Sequence, residues 1–261
     1  MAIPLPDGVN KLGQTRRGLV LYNAHDNTIG RSIELYGEFA EFEAQLFEKL
    51  LRPGDVAVDV GANIGVLTLA MARAVGPSGS VLAFEPQRIL AQMIAANLAL
   101  NSQLNTHVFN MALGAEPGTI MLPPIDYDRA NNFGALSLGG FTEGEAVQLA
   151  CLDSFELQRC RLIKADVEGM ELAVLRGATQ TIRRTRPVLY VENNRPEQSA
   201  ALVAFIRSLS YTLYWHRSPY FNPHNFAGNP DPAFAEFAPE RNILCLPTEL
   251  PQTMSGFEEV S

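Results

Sequence analysis

The sequence predicts an α/β domain: a doubly wound sheet, mostly parallel with an antiparallel edge strand, preceded by an N-terminal extension. Three observations carry that prediction. From residue 37 onward, apolar runs of strand length alternate with amphipathic helical patterns, the order that buries a parallel sheet between helical layers. The first such run, Val56-Ala57-Val58-Asp59-Val60, closes in the turn Gly61-Ala62-Asn63-Ile64-Gly65, and a helical pattern follows at once. Glycines there let the backbone bend sharply and approach a ligand. Near the end of the chain two further runs, 211–215 and 242–246, suit a hairpin-like pair at the sheet edge.

The bulk numbers agree with one large domain. The chain has 261 residues, of which 47% are hydrophobic and 18% charged, ample for a buried core. A net charge of −8 argues against general affinity for nucleic acid or an anionic membrane. Cys151, Cys160 and Cys245 lack metal-site spacing and are odd in number, which argues against a disulfide framework and points to a reducing, cytoplasmic setting. No basic-then-apolar leader opens the sequence, and no apolar run is long enough to span a bilayer. The chain divides into a 1–36 arm or β-hairpin extension, a 37–250 domain and a 251–261 tail.

The elements read as follows. Residues 1–18 are an aperiodic arm. Residues 19–23 and 28–33 suit short strands around the turn His25-Asp26-Asn27. Residues 36–51 suit one helix, with Phe39, Phe42, Leu46, Phe47 and Leu50 on one face. Its start reaches the mouth of any site on the sheet, so 37–39 is a candidate lid. Glu38 there is either a charge favoured by the helix dipole or a contact to a cofactor amine. A helix over 64–75 precedes the strand 80–84, which ends at Glu85-Pro86. An acidic residue about twenty positions past a glycine turn suits a ribose, because a carboxylate accepts from both hydroxyls. A helix over 87–101 ends in Asn97 and Asn101, as caps. The strand 106–110 brings Asn110 and Met111 to its carboxyl end, where polar residues suit the base side of such a ribose-binding site. Residues 118–122 and 147–152 make a β excursion, and the Asn/Gly-rich loop 127–140 between them suits a substrate lip. The strand 162–166 runs into Asp166, with Glu168 and Glu171 at the start of a helix that ends near Arg176. A strand over 187–192 ends at Glu192-Asn193, a helix covers 197–209, and 211–215 leads into His216. The loop 217–240 is long and rich in Pro, Asn and aromatics.

In an open α/β sheet, ligands bind outside the carboxyl ends of the strands. That rule sets Asp59, Glu85, Asn110 and Asp166 along one rim. The turn excludes two common ligands. A P-loop needs Lys-Ser or Lys-Thr after its last glycine, and here Val66-Leu67 follows. A dinucleotide turn needs Gly-x-Gly-x-x-Gly, and here the spacing is Gly61-x-x-x-Gly65.

The pattern Asp59-x-Gly61-x-Asn63-x-Gly65 resembles motif I of the class I S-adenosylmethionine (SAM) methyltransferases. With FEP after the second strand, LDSF, IKADVEGMELAVLRGA and the late RNILCLP, the stretch 37–247 resembles the FkbM family of those enzymes. The resemblance implies a Rossmann-like class I methyltransferase sheet, SAM as cofactor, and O-methylation of a hydroxyl on a sugar, glycoside or secondary metabolite. It also implies cofactor roles for Asp59, Gly61, Asn63, Gly65 and Glu85. Asp166 and Glu168 fall at the methyl-transfer end. Ala165 departs from the family, which commonly carries a larger apolar residue there.

A hydroxyl nucleophile benefits from a general base; the candidates are Asp166, Glu192, His216 and His224. Asp166, Glu192 and Asn193 end adjacent strands and could converge on Mg²⁺, an arrangement similar to that of catechol-type O-methyltransferases. The competing reading is a SAM-binding module without catalysis. The arm suits exchange in a homodimer.

Overall fold

The computed structural model describes residues 2–4, 8–137, 140–234, 236–250 and 256–260. Its N-terminal part is a three-stranded antiparallel sheet of β1 (Ala2–Pro4), β2 (Asn10–Thr15) and β3 (Gly18–Asn23), followed by α1 (Ile29–Tyr36) and α2 (Glu41–Leu50). The main run is β4 (Val56–Val60), α3 (Val66–Val75), β5 (Ser80–Phe84), α4 (Arg88–Leu100) and β6 (Thr106–Phe109). A small sheet of β7 (Ala112–Leu113), β8 (Gly118–Leu122) and β9 (Glu145–Ala150) interrupts it. The chain returns through β10 (Leu162–Ala165), α5 (Glu171–Arg176), α6 (Thr179–Thr185), β11 (Val188–Glu192), α7 (Pro196–Ser208), β12 (Tyr211–Ser218), β13 (Glu240–Pro247) and β14 (Glu258–Glu259).

The central sheet has the order β14-β12-β13-β11-β10-β4-β5-β6. The strands from β11 to β6 pair in parallel, and β13, β12 and β14 pair antiparallel. This is the class I methyltransferase fold the sequence predicts. The order reverses between β4 and β10, so their carboxyl ends diverge into a crevice. Every residue of β4, β10 and β11 is buried. Strands covered on both faces need apolar side chains throughout, and Asp59 and Lys164 are exceptions that face each other across the β4–β10 pair. Among the described residues, no helix is long and apolar enough to cross a membrane.

Three expectations for the N-terminal part are corrected. The stretch before residue 18 is not aperiodic, since β1 and β2 lie within it and pair with each other. Residues 28–33 are not a strand, because Ile29–Tyr36 is helical. Ile29, Ile33 and Tyr36 recur at helical spacing and are all buried, and Asp26 Oδ1 accepts from the Thr28 and Ile29 N–H groups at 2.9 and 3.0 Å, capping the start. The hairpin turn therefore lies at residues 16–17, between β2 and β3, rather than at 25–27. Nor is 36–51 one helix: the chain turns through Gly37 and Ala40, both at positive φ, before α2 begins.

The extension is fastened by its polar groups. Asn97 donates to Leu21 O and accepts from Leu21 N, while Asn101 does the same for Leu19. Two amides one helical turn apart thus stand in for a neighbouring strand along the free edge of β3. At the hairpin tip, Arg17 is buried against Glu41 and Glu48, at 2.5 and 2.7 Å. The tail also contributes order, since β14 pairs with β12 at the sheet edge.

Candidate active site

A cavity of about 350 Å³ opens at the carboxyl ends of β4, β5, β10 and β11, within the usual range for small-molecule sites. Its floor is built around Lys164. The ammonium donates to Gly61 O at 2.7 Å and lies 3.4 Å from Asp59 and 3.5 Å from Asp166. Asp59 is fully buried and also accepts from Thr68 Oγ1 at 2.6 Å. A buried lysine is tolerable only with such partners; here they raise its pKa despite desolvation.

One half of the cavity is the glycine turn and Glu85. Gly61 has φ of +76°, and a Cβ on it would meet the Asp166 carbonyl oxygen at 1.8 Å, so only glycine fits between the two strand ends. Glu85 accepts from the Asn63 N–H and the Gln87 N–H, each at 2.9 Å, one per carboxylate oxygen. Burial pushes Glu85 up to about 7. Gln87 then holds the neighbouring wall, donating to Phe133 O at 2.7 Å and accepting from the Tyr127 hydroxyl at 3.0 Å. That wall is the loop read as a substrate lip, and Asn132, Gly134, Ala135 and Leu136 line the cavity. At Gly134 the Asn63 amide lies 2.6 Å from where a Cβ would be, which brings the loop flush against the turn.

The other half is acidic and aromatic. Glu43, Asp166, Glu168, Glu192 and Glu240 line it with Tyr220, Phe237 and Phe39. Burial and the crowding of like charges raise Glu43, Glu192 and Glu240. Glu240 lies near enough to raise Glu43, and Asn242 donates to Glu43 at 2.9 Å. Glu168 pairs with Arg195 at 3.2 Å, and Arg195 also donates to Ser137 on the lip.

Of the residues singled out from sequence, Gly61, Asn63, Glu85, Pro86, Asp166, Glu168 and Glu192 line this cavity. Eight others do not, among them His224, which lies in the loop after β12 with its carbonyl accepting from Arg16. Asp59 lies beneath the floor, held by Lys164 and Thr68. Gly65 packs on Ile94 at the start of α3. The Asn110 amide donates to the Glu85 and Pro86 carbonyls, holding the turn from behind. Met111 packs into the core. The Glu38 carboxylate faces Arg16 and the loop after β12 rather than the cavity. His216, read as a candidate base, bonds the Tyr190 hydroxyl at 2.7 Å and stacks on Phe257 away from the cavity, where burial lowers its pKa. Asn193 donates to Ser199 Oγ at 2.9 Å and does not line the cavity with Asp166 and Glu192. Glu192 accepts from Asn194 at 2.6 Å, and Asp166 lies 3.5 Å from the Lys164 ammonium, which it shares with Asp59. Among the described residues, no group of three or more His, Cys, Asp or Glu side chains could hold a metal ion.

Sequence reasoning misses Lys164, Gln87, Glu43, Glu240, Tyr220 and Phe237. A lysine inside an otherwise apolar strand is a readable signal for the first, since an ammonium in a core requires carboxylates. Glu43 looks like one of several helix-surface glutamates, and nothing local marks it as buried.

The methyltransferase FkbM domain model matches residues 59–213. Methyltransferase sdnD of Sordaria araneosa is 30% identical over 156 residues, covering 47% of this chain and 60% of that protein. Methyltransferase 1 of Beauveria bassiana (strain ARSEF 2860) is 31% identical over 142 residues, covering 46% of this chain and 57% of that protein. The match thus spans less than two thirds of the length of either relative. In fold, the chain is similar to the crystal structure of methyltransferase FkbM from Methylobacillus flagellatus KT, with a TM-score of 0.50 at 18% identity, over 78% of this chain and 50% of that one.

Proposed function

The chain belongs to the FkbM methyltransferase family, and from that premise we propose that it transfers a methyl group from SAM to a hydroxyl of a small molecule. The observation that carries this reading is one cavity that joins the Gly61–Asn63 turn and Glu85 to the acidic half at Asp166 and Glu192. The first half fits an adenosyl group. The Glu85 carboxylate spends one lone pair of each oxygen on a backbone N–H, which leaves acceptor capacity for two ribose hydroxyls. The acidic half fits a cationic amino-acid end and an acceptor.

Bound SAM supplies an activated methyl group, so what falls to the chain itself is positioning and proton handling. Asp166 lines the cavity and is 3.5 Å from Lys164. We assign it the role of accepting the hydroxyl proton, with Lys164 fixing its orientation. Glu192 is buried among Asp166, Glu168 and Glu171, and holds its proton at neutral pH. It therefore serves as a donor that orients the acceptor oxygen. Asn132, Gly134, Ala135 and Leu136 of the lip and the aromatic pair Tyr220 and Phe237 wall the same space. The acidic lining and the net charge of −8 favour a sugar, glycoside or secondary metabolite over a nucleic acid.

The test is a screen of the purified chain with labelled SAM against sugars, glycosides, catechols and polyketides. Label transfer to a hydroxyl, lost in Asp166→Asn, supports the reading. SAM binding without transfer to any hydroxylated acceptor favours a binding module instead.

A further inference from the structure

Glu38 lies between α1 and α2, only 5% exposed, yet outside the cavity. Its carboxylate receives four donors. Arg16 Nε and Nη2 reach Oε2 at 3.0 and 2.8 Å, the Phe226 N–H reaches the same oxygen at 2.9 Å, and Asn222 Nδ2 reaches Oε1 at 2.8 Å. A carboxylate offers about four lone-pair sites, so little capacity remains for a ligand amine. Arg16 extends the same contact by donating to His224 O at 2.9 Å. Two of the four donors, and that carbonyl, belong to the crossing between β12 and β13.

That crossing forms the outer wall of the acidic half. It carries Tyr220 and Phe237 and leads into Glu240, all of which line the cavity. A second attachment lies beside the first. The Tyr36 hydroxyl donates to Asp231 O at 2.7 Å, Ala227 N donates to Tyr36 O at 2.9 Å, and the Tyr36 ring contacts Phe221 and Phe234. Among the described residues, no helix or strand lies between Ser218 and Glu240 to hold this stretch in place. Its position rests on side chains supplied from the hairpin tip and the α1–α2 link.

We propose that Glu38 is a positioning residue that sets the outer, acceptor-facing wall of the acidic half, by fastening the crossing between β12 and β13 to Arg16 of the N-terminal hairpin. The proposal rests on the methyltransferase reading for the meaning of that half. It also gives the extension a role, because the hairpin tip fixes a wall that the family-matched region, residues 59–213, does not include.

The test compares wild type with Glu38→Gln by hydrogen exchange of the amides of residues 220–234 and by calorimetric titration with S-adenosylhomocysteine. Amide exchange in that stretch rises about tenfold in the variant, while affinity for S-adenosylhomocysteine stays within about twofold. For any acceptor that wild type methylates, KM rises about tenfold and KM for SAM is unchanged, a split that a general loss of folding would not produce. Asn222→Ala, which cuts the same contact from the loop side, reproduces the pattern if Glu38→Gln does not fold. Unchanged exchange in both variants overturns the proposal, as does loss of S-adenosylhomocysteine affinity in step with exchange. Failure of wild type to bind S-adenosylhomocysteine would count against the methyltransferase reading, while the exchange result would still decide whether Glu38 holds the crossing.

Discussion

The Lys164 ammonium stands 3.4 Å from the Asp59 carboxylate, across the register pair that joins β10 to β4 at the point where strand order reverses. Both side chains are almost wholly enclosed. The motif I carboxylate is therefore engaged with the protein, and the charge that reaches the cavity floor is the lysine's. Asp59→Asn leaves a buried ammonium short of one partner. It is expected to cost about 3–5 kcal/mol, as removal of one member of a buried pair does, measured by denaturant unfolding. A change below about 1 kcal/mol, the usual range for an exposed pair, would show that the contact is not a structural one.

Gly61→Ala tests the close approach of β4 to β10. The new methyl would collide with the Asp166 carbonyl, and the residue would be held at φ of +76°. The left-handed conformation alone costs about 1–2 kcal/mol, and relief of the collision displaces Asp166. Loss of S-adenosylhomocysteine binding together with a lowered melting temperature is the expected outcome. Unaltered binding would remove the turn from the site.

Glu85 gives a pH dependence with two opposite signs. Its ordinary value is 4.5, and burial brings it to about 7 in the folded chain. Between those values the folded chain retains a proton that the unfolded chain has lost. Its contribution to stability is thus fully present below 4.5 and falls away as pH rises through about 7. Ligand binding runs the other way, because ribose hydroxyls donate to the ionised form. S-adenosylhomocysteine affinity is expected to tighten from about pH 6 to about pH 8, and Glu85→Gln to abolish that slope. A flat profile in wild type would separate Glu85 from the ligand.

Asn101→Ala tests how the extension is held. It strands the Leu19 N–H and carbonyl, which the amide pairs at 3.0 and 2.6 Å. Each unsatisfied group costs about 1–3 kcal/mol when buried, and Leu19 is only half-buried, so a loss of about 2 kcal/mol is expected. Urea unfolding measures it, and faster amide exchange in β3 localises it. No change in either would mean that the α4 amides are not an edge for β3.

The sheet and its ligand-facing ends were legible because their signals are local. A buried parallel strand is apolar throughout, and the turn at Gly61 and the carboxylate at Glu85 follow their strands directly. What was not legible depends on partners far along the chain. The stretch 28–33 follows a turn and is too short to show its period, and the helical spacing of Ile29, Ile33 and Tyr36 emerges only when it is extended to residue 36, with the Asp26 cap and the packing in view. Glu38 and Glu43 look alike on paper. One is consumed by Arg16 and residues 222–226, and the other is carried into the cavity opposite Glu240, nearly two hundred residues later. Asn193 follows Glu192 immediately, yet it lies past the end of β11 and its amide goes to Ser199 on α7.

The most direct measurement is a crystal structure of the chain soaked with S-adenosylhomocysteine. The expected result is the ribose hydroxyls within hydrogen-bond distance of both Glu85 oxygens, with the sulfur directed towards Asp166 and Glu192. Density for the ligand at any other surface, or a cavity that excludes it, would contradict the assignment.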